Sequence, residues 1–313
     1  MERGQDEGMK GMKRLYHYGP MLTLAIFATI AAVIMQLLIF CDTMIFNTDY
    51  YVWTISKSGA DTALYNELDE YFGQYSNPTS IPKEVYTKSL NQKKVSATAK
   101  KLVRSSLEYM FGRSLSKPVV DYDFTDFEVD VIDYVEKYSE ANNIEKDQEY
   151  YSLIDNTLDN AEKKVVSSFD ILMVKKLADS HYSSIFKKIV PEMGMAMGIC
   201  LFLLLSLLGM MWYIDRHHPF DLPYWIGTIL FCSSLLFLIP SLYLRFSGYF
   251  DGLFMEDPSI YYAITGAIYG VTDRLIIVNC ILLALGLVFI IFAQIIHVFR
   301  VRYAQSITEE IDY

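Results

Sequence analysis

The sequence predicts an all-α membrane protein: four transmembrane helices, with a mainly α-helical extracytoplasmic domain between helices 1 and 2. Three observations predict it. The apolar residues of this 313-residue chain, 52% of the total, are pooled into four long blocks. Lys and Arg flank those blocks unequally. Between the first two blocks the apolar positions recur at helical rather than alternating spacing. The averages alone, with 20% charged residues and a net charge of -10, lie close to those of soluble domains. The clustering is what excludes a single soluble globule, a disordered chain and a disulfide-rich secreted module.

Crossing the hydrocarbon core takes about 20 apolar residues as a helix, and lipid offers no partner for unpaired backbone groups. The spans are expected at 21–42, 189–214, 224–244 and 275–299. In the first, Gln36 is the one strongly polar side chain of the apolar run Met21–Phe40; the fourth contains Asn279, Gln294 and His297. The first apolar run is too long for the h-region of a signal peptide, and no small-x-small site follows it, so an uncleaved anchor is expected. Arg3, Lys10, Lys13 and Arg14 precede it, Arg216 lies between spans two and three, and Arg300 and Arg302 follow span four. The positive-inside rule therefore puts 1–20, 215–223 and 300–313 in the cytoplasm, with 43–188 and 245–274 outside. Cys41, Cys200, Cys232 and Cys280 all fall in or beside spans, leaving the outer domain without cysteine. That suits a bacterial plasma membrane better than an animal cell surface.

Within the outer domain, Leu64, Tyr65, Leu68, Tyr71, Phe72 and Tyr75 share one helical face. A second helix carries Val95, Ala99, Leu102, Val103, Ser106 and Met110, with Gly112 at the position of a C-terminal glycine. Thr125 and Glu128 have capping-box spacing and Phe124 with Val129 staple spacing, opening a helix whose buried face is Phe127, Val131, Tyr134, Val135 and Tyr138. From about Asp147 a last helix runs through Tyr151, Ile154, Leu158, Ala161, Val165, Phe169, Leu172 and Leu177. It would lead straight into span two, with a bend at Pro191. Short strands around Val119–Tyr122 are the alternative to loop there. In the second outer segment, Asp257-Pro258 opens an interfacial helix with Ile260, Ile264, Ile268 and Val271 on one face.

The candidate sites are few. Charge is sorted into a basic block at 83–117 and an acidic one at 121–149. Complementary solvated helix faces explain this, and so does a polarised surface for an envelope ligand or protein partner. Asp121, Asp123 and Asp126 invite a calcium loop, but Asp126 and Ile132 stand where an EF-hand needs Gly and Glu; a helix N-terminus rich in acids accounts for them. A second ligand or lipid surface is expected at the aromatic residues Tyr249, Phe250, Tyr261 and Tyr262. Gly194 and Gly198, with Gly266 and Gly270 as a second pair, have the spacing of close helix packing. Gln36 and Asn279 are expected to hydrogen-bond between helices. His217 and His218, between Asp215 and Asp221, are read as a hairpin stopped by Pro219 and Pro223 rather than a zinc site. No nucleophile elbow, phosphate loop, HExxH or CxxC occurs. The expectation is no catalytic residue, no metal, no cofactor and no nucleic acid, with the bilayer as first partner.

The first anchor followed by Phe46-Asn-Thr-Asp-Tyr50-Tyr51, then Leu64-Tyr65-Asn-Glu-Leu68, resembles a group of four-span integral membrane proteins of Gram-positive bacteria. The resemblance implies a helical outer domain and three closing spans, and carries over no functional residue. The layout is also similar in topology to mechanotransmission-type ABC permeases, which couple to an ATPase through cytoplasmic elements. Here the inner loop is short and the N-terminal segment lacks an amphipathic helix. The function expected is a non-enzymatic envelope protein whose outer domain binds or senses a ligand or partner. A permease-like subunit is the alternative and a membrane-surface enzyme the third.

Overall fold

Long apolar runs and i, i+4 spacing both resolve into helix in the computed structural model. It describes residues 2–216 and 222–311, with side chains over 18–216 and 222–300; the expected His217–His218 hairpin lies outside that range. In chain order the helices are α1 (Glu2–Phe40), a π-helical turn (Cys41–Ile45), α2 (Thr48–Ser58), α3 (Ala60–Thr79), α4 (Lys83–Lys88) and α5 (Gln92–Met110). They continue with α6 (Thr125–Ala141), α7 (Gln148–Ser168), α8 (Val174–Ala178), α9 (His181–Ile214), α10 (Leu222–Phe246) and α11 (Pro258–Ile311). Among the described residues there is no strand, and 119–122 is irregular. Four helices are long and apolar enough to cross a membrane: Tyr18–Ile45, His181–Ile214, Leu222–Phe246 and Pro258–Arg300.

The chain divides into a span unit (Met1–Ile45, Glu192–Gly248, Val271–Tyr313) and a helical unit (Phe46–Pro191, Tyr249–Gly270). In the helical unit α5 is central, packed by α2, α3 and α8, while α3 also packs on α4 and α7, and α4 on α6. Leu64, Leu68 and Phe72 of α3, Val95, Ala99, Leu102 and Val103 of α5, and Phe127 and Val131 of α6 are buried. Their i, i+4 spacing is what lets one stripe of each helix meet the others. Tyr86 of α4 is fully buried because its ring stacks on Phe72 (centroids 4.9 Å apart) and its hydroxyl donates to Thr79 Oγ1 at 3.0 Å. Helix ends are satisfied locally. Asn47 Oδ1 accepts from Asp49 N (3.0 Å), and Asp147 Oδ1 from Tyr150 N (2.8 Å). Gly112, at φ +72, closes α5 with Arg113 N donating to Glu108 O and Gly112 N to Tyr109 O, the paired bonds of a Schellman end.

Several expectations are corrected. The capping box at Thr125 is not made: Thr125 is itself the first helical residue, and Asp123 Oδ1 takes its amide at 3.0 Å. The staple fails with it, since Val129 is 59% exposed and Phe124 packs on Tyr122 and Phe127 instead. Tyr138 and Tyr151 are exposed; Ser139, the next residue after Tyr138, is buried on α6. The expected helix from Asp147 into span two is three helices. It breaks at Phe169–Met173, where Met173 adopts φ +51, and again after Ala178, so Leu177 is exposed. Pro191, where a bend is expected, lies inside α9. The separate interfacial helix is absent too. No proline lies between Pro258 and span four, and α11 is one unbroken helix.

On α11 the buried face is also not the isoleucine face. Ser259, Ala263 and Ala267 are buried. A Cβ on Gly266 would lie 2.5 Å from Ser58 Cβ, and one on Gly270 would lie 2.6 Å from the Tyr50 hydroxyl. That hydroxyl donates to Ala267 O at 2.6 Å. Small residues thus let α11 close on α2 backbone-near. Glu67 of α3 caps the start of α11, accepting from Ser259 N at 2.5 Å and Ser259 Oγ at 2.8 Å, where the helix's unpaired amides and dipole favour a carboxylate.

In the span unit Met21, Ala25, Ala28 and Ala32 of α1 pack with Met211 of α9 and with Trp225 and Ile229 of α10. Cys200 Sγ sits 3.4 Å from Ala31 O. The tightest contact joins α10 to α11: a Cβ on Gly227 would meet Gly286 O at 2.7 Å, and one on Gly286 would meet Gly227 O at 2.9 Å. Gly194 and Gly198, the expected packing pair, have open space where a Cβ would go.

Two substitutions test this packing. Val131→Asp places an unpaired carboxylate at a fully buried site, a cost of several kcal/mol; the full-length variant should lose protease resistance across 46–191. Gly227→Ala should lower the melting temperature in detergent by the equivalent of about 1–3 kcal/mol of overpacking, whereas Gly194→Ala should leave it unchanged.

Candidate functional site

The acidic residues singled out in the sequence are held by the basic block. Lys101 Nζ lies 2.7 Å from Asp121, Lys94 Nζ 3.5 Å from Asp126, and Lys88 pairs with Asp130. The sorted charge is therefore largely α5 and α4 facing α6 and the loop before it, with Asp121 and Asp126 in exposed ion pairs. The side-chain hydroxyl and the amide of Thr125 hold the Asp123 carboxyl below the ordinary value. Tyr122, packed on Phe169, is pushed up to about 12 by burial and then by Asp123 and Asp126. Among the described residues no three His, Cys, Asp or Glu side chains converge.

The aromatic segment folds on itself. Tyr249 lies edge-on to Phe250, Phe250 edge-on to Tyr269, and Tyr261 to Tyr262. Asp251 ties the turn to α11, accepting from the Tyr269 hydroxyl at 2.6 Å and, through its carbonyl, from that of Tyr261 at 3.5 Å. Most of these rings are thus engaged in closing the 3-10 turn at Tyr249–Gly252.

The span unit holds a different arrangement, unforeseen in the sequence. A cavity of about 520 Å³ opens among α1, the π-helical turn, α9, α10 and α11, with Met35, Leu204, Leu230, Phe237 and Leu282 among its apolar lining. The turn Cys41–Ile45 contributes Thr43 and Met44. Such one-turn π segments are frequent at functional sites because the extra residue re-aims the side chains that follow. Gln36 and Asn279 both line this cavity.

Each amide has one arm satisfied. Gln36 Nε2 donates to Ser233 Oγ at 3.1 Å, and that hydroxyl donates onward to Leu230 O at 3.2 Å. Asn279 Nδ2 donates to Leu275 O at 2.9 Å, one turn back on its own helix. The other arms are unmet: Gln36 Oε1 and Asn279 Oδ1 are buried with no hydrogen-bond partner. Asn279 is only 2% exposed. An unpaired buried acceptor costs about 1–3 kcal/mol, more tellingly so where hydrocarbon replaces water. Interhelical bonding, expected of both amides, is found for Gln36 alone. Arg274 is the charged residue of its lining, and the preceding residue, Asp273, pairs with Arg245 Nε at 2.8 Å.

No protein-family model, no curated protein and no solved structure matches the chain. What it does is read from this geometry.

The helical unit offers a pH test. Burial alone would raise Asp61, but hydrogen bonds from Lys100 and Ser96 and the charge of Lys100 outweigh it and leave the carboxyl below its ordinary value. Its contribution is present above the unfolded pKa near 4 and is lost as pH falls through the lower folded value. Asp61→Asn should therefore melt below the parent at pH 7, with the difference closing toward pH 3 in thermal scans of the full-length protein.

Proposed function

We propose that the protein is a non-enzymatic, multi-pass envelope protein that binds or senses a ligand, and that its recognition site is the cavity of the span unit. The observation that carries this is the pair of unpartnered amide oxygens, Gln36 Oε1 and Asn279 Oδ1, on the wall of an apolar cavity. Polar groups at membrane depth are functional by default when they line a cavity, and a bound donor would remove their desolvation cost. The Lys/Arg pattern supports an orientation with both termini cytoplasmic and 46–191 outside a bacterial plasma membrane. In that arrangement the helical unit is the part that reports occupancy to, or recruits, something beyond the membrane. A permease-like subunit is the second reading. It is favoured by α1, which is already helix from Glu2 and gives an ATPase a cytoplasmic element to press on. An ATPase co-purifying with the chain would select it.

Native mass spectrometry of the chain released from its own membranes is the direct test. A small-molecule adduct should ride on the parent protein and be absent from Leu282→Trp, which fills the cavity, while the circular dichroism of the two is the same. An adduct-free parent would overturn the binding reading. Protease added to intact cells should cut within 46–191; protection there together with cleavage after Arg300 would reverse the orientation.

A further inference from the structure

Resting on the binding reading above, we propose the chemistry of the ligand: an uncharged single-chain lipid alcohol, whose hydroxyl donates to the amide oxygens of the cavity. Four polar side chains line it, those of Gln36, Thr43, Arg274 and Asn279. Thr43 Oγ1 donates to Ile39 O at 2.7 Å, and Arg274 is engaged within the protein. The open hydrogen-bonding positions are therefore those of the two amides, and each amide is held in one sense. Asn279 Nδ2 donates to Leu275 O at 2.9 Å. A carbonyl only accepts, so turning the amide round would set oxygen against oxygen. Ser233 gives its proton to Leu230 O and so receives one from Gln36 Nε2; the reversed amide would make one bond where this one completes two. The unmet groups, Asn279 Oδ1 and Gln36 Oε1, are thus both acceptors, and the occupant has to donate. Esters, ketones, ethers and ionised carboxylates or phosphates bring acceptors alone. An ammonium donates, but two neutral oxygens do not offset the cost of taking an ion out of water, and the described lining holds no Asp or Glu. A hydroxyl donates without charge. Leu204, Leu230, Phe237 and Leu282 make the remainder apolar, and the volume of about 520 Å³ lies in the lower half of the range for small-molecule pockets, about 300–1,000 Å³. That suits one hydrocarbon chain rather than two.

The test uses the full-length protein in nanodiscs of phosphatidylcholine, a lipid without a donor of its own, and a monoacylglycerol with a photoactivatable group at the end of its chain. Three competitors of the same chain length are compared: the plain monoacylglycerol, its di-O-methyl ether and the alkylammonium. On the parent protein the probe should label peptides carrying Leu204 and Leu230. The ether, which keeps every oxygen and loses both donors, should compete about tenfold less well than the alcohol, the worth of one buried hydrogen bond; the alkylammonium should also compete less well. Asn279→Leu should reduce the ratio of alcohol to ether, and Asn279→Leu combined with Gln36→Met should bring it to one. Asn279→Leu should also melt at or above the parent's temperature, because it removes a buried unpaired oxygen; a loss of binding through misfolding would lower it. Equal competition by alcohol and ether on the parent, as when bound water meets the two oxygens, overturns the lipid alcohol. So does a ratio unchanged in the double variant, or an alkylammonium that competes as well as the alcohol. If the native spectrum carries an adduct while the probe labels other peptides only, the binding reading stands without this ligand. No labelling of the cavity together with an adduct-free native spectrum removes both.

Discussion

In hydrocarbon no water stands in for a missing hydrogen-bond partner, and the span unit is organised around that constraint. Its backbone is helix throughout the described spans, and its serines donate to carbonyls of their own helices, as Ser233 does to Leu230 and Ser234 to Phe231. Gln36 Oε1 and Asn279 Oδ1 are buried there without a hydrogen-bond partner. Both residues line one cavity.

Lipid also removes the usual reason for helices to associate, since their apolar side chains are as well solvated by acyl chains as by each other. What remains is close van der Waals contact, and it is made by the smallest residues. Gly227 against Gly286 brings two backbones together, and the alanines of α1 admit Trp225 and Met211. The helical unit is built in the other way, on buried stripes of Leu, Val and Phe with Tyr86 and Phe72 stacked at the centre. Its ion pairs trim the surface, and pairs as exposed as Lys101–Asp121 contribute little each.

Much of the architecture was legible because it depends on local pattern. Runs of about 20 apolar residues and i, i+4 stripes at Leu64–Phe72, Val95–Val103 and Phe127–Val131 report burial directly. Gly112 was legible for a similar reason, as a left-handed end needs a residue without Cβ. Features settled by partners distant in sequence were not. Val129 and Tyr138 are apolar or amphipathic on a plausible stripe, yet both are exposed. The glycines that matter at 227, 266, 270 and 286 are distinguished from those at 194 and 198 only by what lies opposite. The lysine partners of Asp121 and Asp126 lie 20 and 32 positions away in the chain, at Lys101 and Lys94, beyond the reach of local pattern. The cavity had one sequence signal, amides at 36 and 279 within spans; that both would leave an oxygen unmet on a shared wall depends on α1, α10 and α11 at once. The π-helical turn, which brings Thr43 and Met44 to that wall, has no signature in CDTMI.

The clasp between Glu67 and Ser259 joins residues 192 positions apart, and with the seat of Gly266 and Ala267 on α2 it has a biosynthetic consequence. The segment Tyr249–Gly270 belongs to the helical unit but leaves the ribosome only after spans two and three have been made. Until then the faces of α2 and α3 that bear Tyr50, Thr54 and Glu67 have nothing to close on. Maturation of this domain consequently waits for synthesis of a late segment, so a stalled or truncated nascent chain would present an open seam to the quality-control machinery.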